Sequence, residues 1–286
     1  MEKLNFADSS TFNKNLTLQI DEYIKDGIVY CKKCNTPRRA SFCDGDEVRV
    51  FPIRCKCQEQ AFKVEKKRQQ EAELHTRIEN ERNDAFAVKS FYNYRFELDD
   101  GQTPRLTEIM KKFVENFHEF GKNGQGLILY GGVGTGKTFY AACIANSLID
   151  KGYRVRHTSL AEIVQNTQNF DYAKDYFNKL LNKHCIIIDD LGTERTTKFA
   201  DEQIYKFIDG CYTQGIVLII TTNYEPQEFV EASRDMSNLK YARTYSRILE
   251  RCMPLCVNEL KRRENNALKN KAEMAELLGL KRKSEI

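Results

Sequence analysis

Eight consecutive residues in the middle of the chain have the types and spacing of a phosphate-binding loop. The pattern G-x-x-x-x-G-K-[ST] is matched by Gly131, Gly132, Val133, Gly134, Thr135, Gly136, Lys137 and Thr138. Glycines in such a loop let backbone N–H groups surround a phosphate, the lysine reaches the β and γ oxygens, and the threonine hydroxyl ligates Mg²⁺. The sequence therefore predicts a site for a nucleoside triphosphate and Mg²⁺.

The segments on either side of this loop have the patterns that its chemistry requires. The apolar run 127–130 predicts a buried strand, and the apolar residues spaced along 139–150 predict a helix. A loop between a strand and a helix directs backbone N–H groups and the positive end of the helix dipole toward the phosphate. A chance match in a flexible glycine-rich loop is the alternative, and this flanking context argues against it.

Two further apolar runs end in polar side chains that would complete the site. Residues 185–188 are apolar and lead into Asp189 and Asp190, and the strand pattern 216–222 leads into Asn223. Strands beside the phosphate-binding strand deliver such residues to the same edge of a sheet. We expect Asp189 to hold Mg²⁺, Asp190 to orient or deprotonate the attacking water, and Asn223 to position that water. Two aspartates that only end a strand at a turn are the alternative.

An arginine-rich helix is predicted near the end of this region. The pattern over 241–251 is helical and carries Arg243, Arg247 and Arg251, and the apolar stretch 253–257 predicts a fifth strand. An arginine on such a helix could reach the phosphates of a neighbouring subunit and neutralise charge in the transition state. A solvated surface arginine is the alternative for each of them.

Four cysteines near the N-terminus have a spacing typical of a structural zinc site. Cys31 and Cys34 form one close pair, Cys55 and Cys57 form the second, and 20 residues lie between the pairs. Four thiolates complete a tetrahedron around Zn²⁺ and leave no open position for substrate, so we expect a docking surface here and no catalysis. Unrelated free thiols are the alternative, and Cys43, between the pairs, is expected not to be a ligand.

Length and composition limit the classes of protein. A chain of 286 residues can hold one ordinary domain and a small appendage, and its net charge of +4 permits a nucleic-acid partner without requiring one. No secretory signal or apolar run of 18 residues is present, so we expect a cytoplasmic protein with no membrane contact. The charged run 58–84 predicts a solvated helical connector, with disordered linker as the alternative. The alternation of predicted strands and helices after it favours an α/β fold with a doubly wound parallel sheet.

From about residue 96 to 263 the chain resembles the AAA+ ATPases of the DnaC-type helicase-loader family, which includes phage-encoded relatives and the related IstB-type transposition helpers. The resemblance rests on four segments: 126–138, 187–195, 221–223 and 246–251. It implies that ATP is the nucleotide, that Asn223 is sensor I, and that Arg247 is an arginine finger acting on a neighbouring subunit. It also implies a sensor II arginine after the fifth strand, for which Arg262 is the best match and Arg263 the rival.

The same resemblance implies partners and an organisation of the chain. A member of this family would load a hexameric, DnaB-type replicative helicase onto single-stranded DNA and would assemble with itself when ATP is bound. It implies a zinc-binding helicase-docking domain over 1–60, a charged helical linker over 61–95, the AAA+ ATPase domain over 96–265, and a basic C-terminal tail over 266–286.

A difference from most AAA+ proteins and three alternative functions also bear on this prediction. Most AAA+ proteins have glutamate where this chain has Asp190, and the shorter side chain predicts slow intrinsic hydrolysis. A transposition helper and a nucleotide-gated DNA-binding adaptor that does not hydrolyse ATP are the alternatives, and a small-molecule kinase is disfavoured because it should carry an arginine-rich lid. The basic clusters 261–263 and 281–283 would contact DNA phosphates or form a solvated tail.

Overall fold

The structure is a computed structural model that describes residues 18–44, 47–192, 197–235, 237–257 and 262–278. The chain divides into two compact units, with the boundary between Thr76 and Arg77. Residues 193–195 of the second resemblance segment, Lys261, and the cluster 281–283 lie outside the described residues. Among the described helices, none combines the length and the apolar character that crossing a membrane requires.

The first unit contains two short antiparallel β-hairpins. Its strands are β1 (Glu22–Lys25), β2 (Ile28–Cys31), β3 (Arg39–Asp44) and β4 (Glu47–Pro52), paired β1 with β2 and β3 with β4. Asp26 and Gly27 turn the first hairpin with φ values of 50° and 76°, as a two-residue turn requires. Among the described residues of this unit, the buried apolar side chains are Val29, Cys31, Ala40 and Cys55. So small a core indicates that another interaction stabilises the unit.

A long helix, α1 (Lys56–Ala85), follows the hairpins and contains the charged run 58–84. Most of its side chains are exposed, and Arg82 and Ala85 are the buried ones. Arg82 donates from Nε to Asn146 Oδ1 at 3.2 Å and forms an ion pair with Asp150. The C-terminal turn of α1 is therefore fixed by contacts within the second unit, although the helix as a whole is solvated.

Five parallel strands form the sheet of the second unit. They are β5 (Gly126–Tyr130), β6 (Val155–Thr158), β7 (Cys185–Leu191), β8 (Val217–Thr222) and β9 (Cys252–Cys256), in the order β6-β7-β8-β5-β9. Alternate side chains of one strand enter two separate apolar clusters: Ile187 of β7 lies in one, and Ile186 and Ile188 lie in the other. Because both faces of the sheet are buried at its centre, the three central strands β7, β8 and β5 are nearly continuous apolar runs. The predicted α/β fold with a doubly wound parallel sheet is confirmed.

The helices pack on the two faces of this sheet. The first cluster includes residues of α2 (Pro104–Glu115), α3 (Phe117–Lys122) and α4 (Lys137–Asp150). The second includes residues of α5 (Leu160–Asn166), α6 (Phe170–Leu181), α7 (Lys198–Gln214), α8 (Pro226–Ser233) and α9 (Leu239–Arg251). Two short 3-10 turns, Lys89–Asn93 and Phe96–Leu98, precede α2. A final helix, α10 (Arg262–Leu277), covers much of the predicted C-terminal tail.

The central strand pair depends on a glycine. A Cβ atom on Gly126 would lie 1.8 Å from the carbonyl oxygen of Leu218 in β8. Only glycine lets the first residue of β5 approach β8 this closely. The close pairing places the end of β5 beside the end of β8, and the functional residues of both strands follow at that edge.

Candidate functional site

The phosphate-binding loop lies between the end of β5 and the first residue of α4, Lys137. Gly131, Gly134 and Gly136 have φ values of 146°, 80° and 105°, which side-chain-bearing residues rarely adopt. Gly136 is also the N-cap of α4, so the free N–H groups of the first helical turn face the loop. The local backbone therefore has the form that the sequence motif predicts.

The lysine of this loop reaches the end of a neighbouring strand. Lys137 is 7% exposed, and its Nζ donates to Gly131 O at 2.9 Å, to Gly132 O at 2.8 Å and to Asn223 Oδ1 at 2.8 Å. Asn223 follows β8, which pairs directly with β5. The structure thus brings together two predicted site residues that are 86 positions apart in the sequence.

The predicted magnesium ligands also meet at this edge. Thr138 Oγ1 donates to Asp189 Oδ1 at 3.0 Å, and Thr221 Oγ1 donates to the same oxygen at 2.6 Å. Hydroxyl and carboxylate oxygens are the ligands that Mg²⁺ prefers, and they stand here beside the loop that would hold the phosphates. The donor set therefore fits Mg²⁺. Thr221 is a contact that the sequence reasoning did not assign.

Asp190 adopts an unusual backbone conformation. Its φ is 59°, and the β7–β8 register shifts between Ile188 and Leu191. Its backbone N–H donates to Thr221 Oγ1 at 2.8 Å. Aspartate tolerates this left-handed conformation better than most side chains, including the longer glutamate. The bulge moves Asp190 out of the strand alternation while Asp189 stays directed at Thr138.

Tyr224 links the segment after β8 to the segment after β7. No sequence pattern assigned it a role. The Tyr224 hydroxyl donates to Gly192 O at 3.3 Å, and a Cβ on Gly192 would lie 2.6 Å from the Tyr224 ring. Thr222 Oγ1 donates to Leu191 O at 2.8 Å in the same place. These contacts fix the segment after the two aspartates against the segment that carries Asn223. A signal was available, since Tyr224 directly follows the Thr-Thr-Asn motif.

Arg262, the first residue of α10, lies at the phosphate-binding loop. Its Nη1 donates to Thr135 O at 2.9 Å, and a Cβ on Gly136 would lie 3.2 Å from that nitrogen. The side chain of Arg263, the rival for this position, lies outside the described residues. The structure thus places the preferred sensor II candidate beside the phosphate-binding loop, although it lies 125 positions after Lys137 in the sequence.

A polar network from the segment just before α2 holds this arginine. Arg262 Nε donates to Asp100 Oδ2 at 2.8 Å, and Nη2 donates to Asp100 Oδ1 at 3.1 Å and to Thr103 Oγ1 at 2.6 Å. The Arg262 guanidinium lowers the pKa of Asp100, so this carboxyl group is ionised near neutral pH. Nothing in the local sequence around Asp100 or Thr103 indicated this partnership.

We expect Arg262→Ala to weaken ATP binding by roughly 10-fold or more, because a hydrogen bond to a charged group contributes about 1.5–3 kcal/mol. The ATP affinity of Arg262→Lys should lie between those of Arg262→Ala and the wild type, since lysine keeps the charge but loses the bidentate geometry. Titration with a fluorescent ATP analogue measures the affinity. An unchanged affinity with a lowered melting temperature would show that Arg262 only fastens α10 to Asp100.

Arg247 lies on α9 among side chains of α7. It forms an ion pair with Asp209 at 2.6 Å and its guanidinium lies 5.2 Å from the ring centre of Tyr205 and 5.4 Å from that of Tyr212. Arg251, one turn further along α9, lies 3.9 Å above the Tyr212 ring. Among the described residues, the contacts of Arg247 are with these side chains and not with its own phosphate-binding loop.

The four predicted zinc ligands converge in the first unit. The Sγ atoms of Cys31, Cys34, Cys55 and Cys57 all lie within 4.8 Å of one another. Cys57 Sγ lies 3.6 Å from Cys31 Sγ and 3.3 Å from Cys55 Sγ. A tetrahedron with Zn–S bonds of about 2.3 Å separates its sulfur atoms by about 3.8 Å, so the cluster fits Zn²⁺. The side chain of Cys43 lies outside the described residues.

The surroundings of this cluster act on the ionisation of its thiols. The Thr36 hydroxyl, 3.0 Å from Cys34 Sγ, lowers the pKa of Cys34 to about 5. Hydrogen bonds with Cys55 and Cys31 raise the pKa of Cys57 to about 12, because neighbouring thiolates cannot all ionise without a cation between them. Arg38, 5% exposed and 3.7 Å from Cys31 Sγ, places a buried positive charge beside the sulfurs. The sequence reasoning did not identify Arg38.

The chain is similar to known proteins in sequence and in fold. Residues 60–278 match the family described as IstB-like ATP binding protein. The chain is 28% identical to the replicative helicase loader DnaI of Bacillus subtilis over 176 residues, which are 58% of this chain and 56% of DnaI. It is 30% identical to the replicative helicase loader DnaC of Escherichia coli K12 over 125 residues, which are 42% of this chain and 49% of DnaC.

The match to these relatives is partial. The chain spans about half the length of the two curated relatives, 56% of DnaI and 49% of DnaC. A crystal structure of DnaI aligns with a TM-score of 0.52 and 21% sequence identity, covering 64% of this chain and 98% of that one. This structural likeness establishes a shared fold.

Proposed function

The chain belongs to the family of IstB-like ATP binding proteins, and from this premise we propose that it loads a hexameric replicative helicase onto single-stranded DNA, using ATP. One observation supports the dependence on ATP. At one edge of the sheet Lys137 contacts Asn223, and Thr138 contacts Asp189. The names of the two relatives, both replicative helicase loaders, support the choice of partner.

In the proposed site each residue has one task. The glycine loop and Lys137 would hold the phosphates of ATP, Thr138 and Asp189 would hold Mg²⁺, and Arg262 would contact the nucleotide from α10. Bound Mg²⁺ supplies positive charge beside the phosphate oxygens. Asp190 would orient or deprotonate the attacking water, and Asn223 would position it.

We expect intrinsic hydrolysis to be slow. Asp190 is one methylene shorter than the usual glutamate, and its left-handed backbone at φ 59° disfavours a longer side chain. Slow hydrolysis suits a protein in which ATP occupancy acts as the switch: the ATP form would assemble on DNA, and hydrolysis would release the loader.

Arg247 is proposed to act on the ATP of a neighbouring subunit. To do so its guanidinium must leave Asp209, to which it is paired at 2.6 Å. Arg247→Ala and Lys137→Ala should each be inactive alone, and an equal mixture should recover about a quarter of wild-type hydrolysis, because that share of random interfaces combines an intact loop with an intact finger. Phosphate release from the mixture measures this recovery.

Arg251→Ala is the matched control for that mixture, since Arg251 stacks on Tyr212 from the same face of α9. Alone, Arg251→Ala should hydrolyse ATP as the wild type does. If Arg251→Ala is inactive alone and recovers with Lys137→Ala, while Arg247→Ala alone stays active, the finger is Arg251. If neither mixture recovers activity, the assembly does not share its active sites in this way.

The loader proposal is tested by isolating single-stranded DNA circles after incubation with the host's replicative helicase, ATP and this protein. We expect helicase on the circles only when the wild-type protein and ATP are present. Lys137→Ala should abolish loading. Replacing Cys31 and Cys57 by serine should abolish co-elution with the helicase on a sizing column, because the cysteine cluster is proposed to support the docking domain.

A transposition helper is the second candidate. The matched family is described as IstB-like ATP binding protein, and the resemblance includes IstB-type transposition helpers. The cysteine cluster favours the loader, since a helicase-docking module explains it and a transposition helper would not need it. Association with a transposase, and none with any helicase under any nucleotide, would favour the helper.

A further inference from the structure

We propose that His157 is a positioning residue for Asp189 and orients this carboxylate for Mg²⁺ by donating a hydrogen bond from Nε2 to Oδ2. The inference rests on the proposed function, since it assigns Asp189 to Mg²⁺ binding in an ATPase site. It concerns a side chain that belongs to none of the motifs in the sequence.

A buried nitrogen directed at Asp189 is the first observation. His157 lies on β6, in register with Ile187 of the adjacent β7, and is 8% exposed. Its Nε2 is buried and has no hydrogen-bond partner among the described residues. It lies 3.9 Å from Asp189 Oδ2, slightly beyond hydrogen-bonding distance. A buried polar nitrogen without a partner requires an explanation, and a small shift of either side chain would pair it.

The second observation is that the hydrogen bonds to the Asp189 carboxylate fall mainly on one of its two oxygens. Thr138 Oγ1 and Thr221 Oγ1 donate to Oδ1 at 3.0 and 2.6 Å, and Thr138 Oγ1 lies 3.4 Å from Oδ2. Oδ2 is therefore the oxygen with room for another donor, and it is the oxygen that faces His157. A hydrogen bond there would prevent rotation of the carboxylate and keep Oδ1 beside Thr138.

The surroundings of His157 restrict what else it could do. The rings of Phe86 and Phe91 lie 5.8 and 4.9 Å from the imidazole and hold it in place. The other nearby carboxylate, Glu162, already binds Arg156 at 2.5 Å and Thr158 at 2.9 Å. Burial lowers the pKa of His157, because the charged ring would be poorly solvated there.

A role in metal binding follows from the general behaviour of outer-shell partners. Residues that hydrogen-bond to a metal ligand fix its orientation, and their loss typically lowers metal affinity about 10–100-fold. His157→Met keeps the volume and removes the donor, whereas His157→Gln places an amide N–H at about the reach of Nε2. We therefore expect His157→Met to weaken metal binding by about 10-fold or more and His157→Gln to restore most of it.

The experiment measures binding of Mn²⁺, as a stand-in for Mg²⁺, to the full-length protein in the presence of a non-hydrolysable ATP analogue. Electron paramagnetic resonance detects the bound metal. His184→Met and His184→Gln are the matched controls, because His184 precedes β7 at the opposite end and its Nδ1 accepts from Arg154 N at 2.9 Å. Both controls should bind Mn²⁺ as the wild type does. Binding of the nucleotide without metal should be the same in all variants.

Each outcome decides the question. Equal Mn²⁺ affinity in His157→Met, His157→Gln and the wild type would overturn the inference. If His157→Met and His157→Gln weakened Mn²⁺ binding equally and both lowered the melting temperature, His157 would serve packing only. That result would also overturn the inference. If the wild type showed no nucleotide-dependent Mn²⁺ binding, the proposed function would fail first, and the inference with it. Weak binding in the Met variant with rescue by Gln would support it.

Discussion

Lys137→Ala is expected to reduce ATP hydrolysis by about 10³-fold or more, to the background of a phosphate-release assay. The side chain places its ammonium group within the loop, where it donates to two loop carbonyls and to Asn223 Oδ1 at 2.8–2.9 Å. No other positive charge on the loop itself would neutralise the β and γ oxygens of ATP, since its remaining residues are glycine, valine and threonine.

Lys151→Ala is the matched control for this variant. Lys151 lies just beyond the other end of the same helix and donates to Val114 O at 3.0 Å, away from the loop. It should keep wild-type hydrolysis, and both variants should melt within a few degrees of the wild type. Hydrolysis by Lys137→Ala within tenfold of the wild type would remove this loop from the ATPase site.

Removal of zinc is expected to unfold the first unit while leaving the second folded. Structural zinc contributes about 10 kcal/mol or more to small domains, and the described residues of this unit include few buried apolar side chains that could replace it. Elemental analysis should find one zinc per chain. After chelation or in Cys31→Ser, limited proteolysis should cut within residues 18–55, and the second unit should resist cleavage.

Two cysteine variants separate this effect from a general loss of thiols. Cys256→Ser changes an exposed cysteine at the end of β9 and should keep the zinc. Cys43→Ser should keep it as well, because Cys43 is expected not to be a ligand. A protein that folds fully without metal, with the four sulfurs reduced, would contradict the proposed zinc site. Loss of zinc in Cys43→Ser would bring a fifth cysteine into it.

The parts of the site that could be predicted from the sequence are those made by neighbouring residues. The glycine loop and its lysine are consecutive, and their positive φ values follow from the residue types. The carboxyl ends of β7 and β8 carry Asp189 and Asn223 because an apolar run ends where the chain leaves the sheet. The cysteine pairs were found in the same way, since each pair spans at most four residues.

Other residues of the site had no local signal. Asp100 and Thr103 are ordinary polar residues of a loop, and only their hydrogen bonds with Arg262 connect them to the site. His157 and Arg38 belong to no motif in the sequence, and burial beside a carboxylate or a cysteine sulfur distinguishes them. The choice between Arg262 and Arg263 as sensor II was open for the same reason, because adjacent residues of a helix point in different directions.

The sequence by itself determined the family, the parallel α/β fold and the consecutive motifs, because periodicity and spacing report on the backbone within one element. The sequence predicted that these motifs share one edge of the sheet, and the tertiary structure decided which side chains touch there. The strand order β6-β7-β8-β5-β9 places β5 beside β8, and this brings Asn223 to Lys137 across 86 residues. It places β6 beside β7, which brings His157 to Asp189. Long-range contacts of this kind depend on how the sheet is assembled, and no local pattern encodes that order.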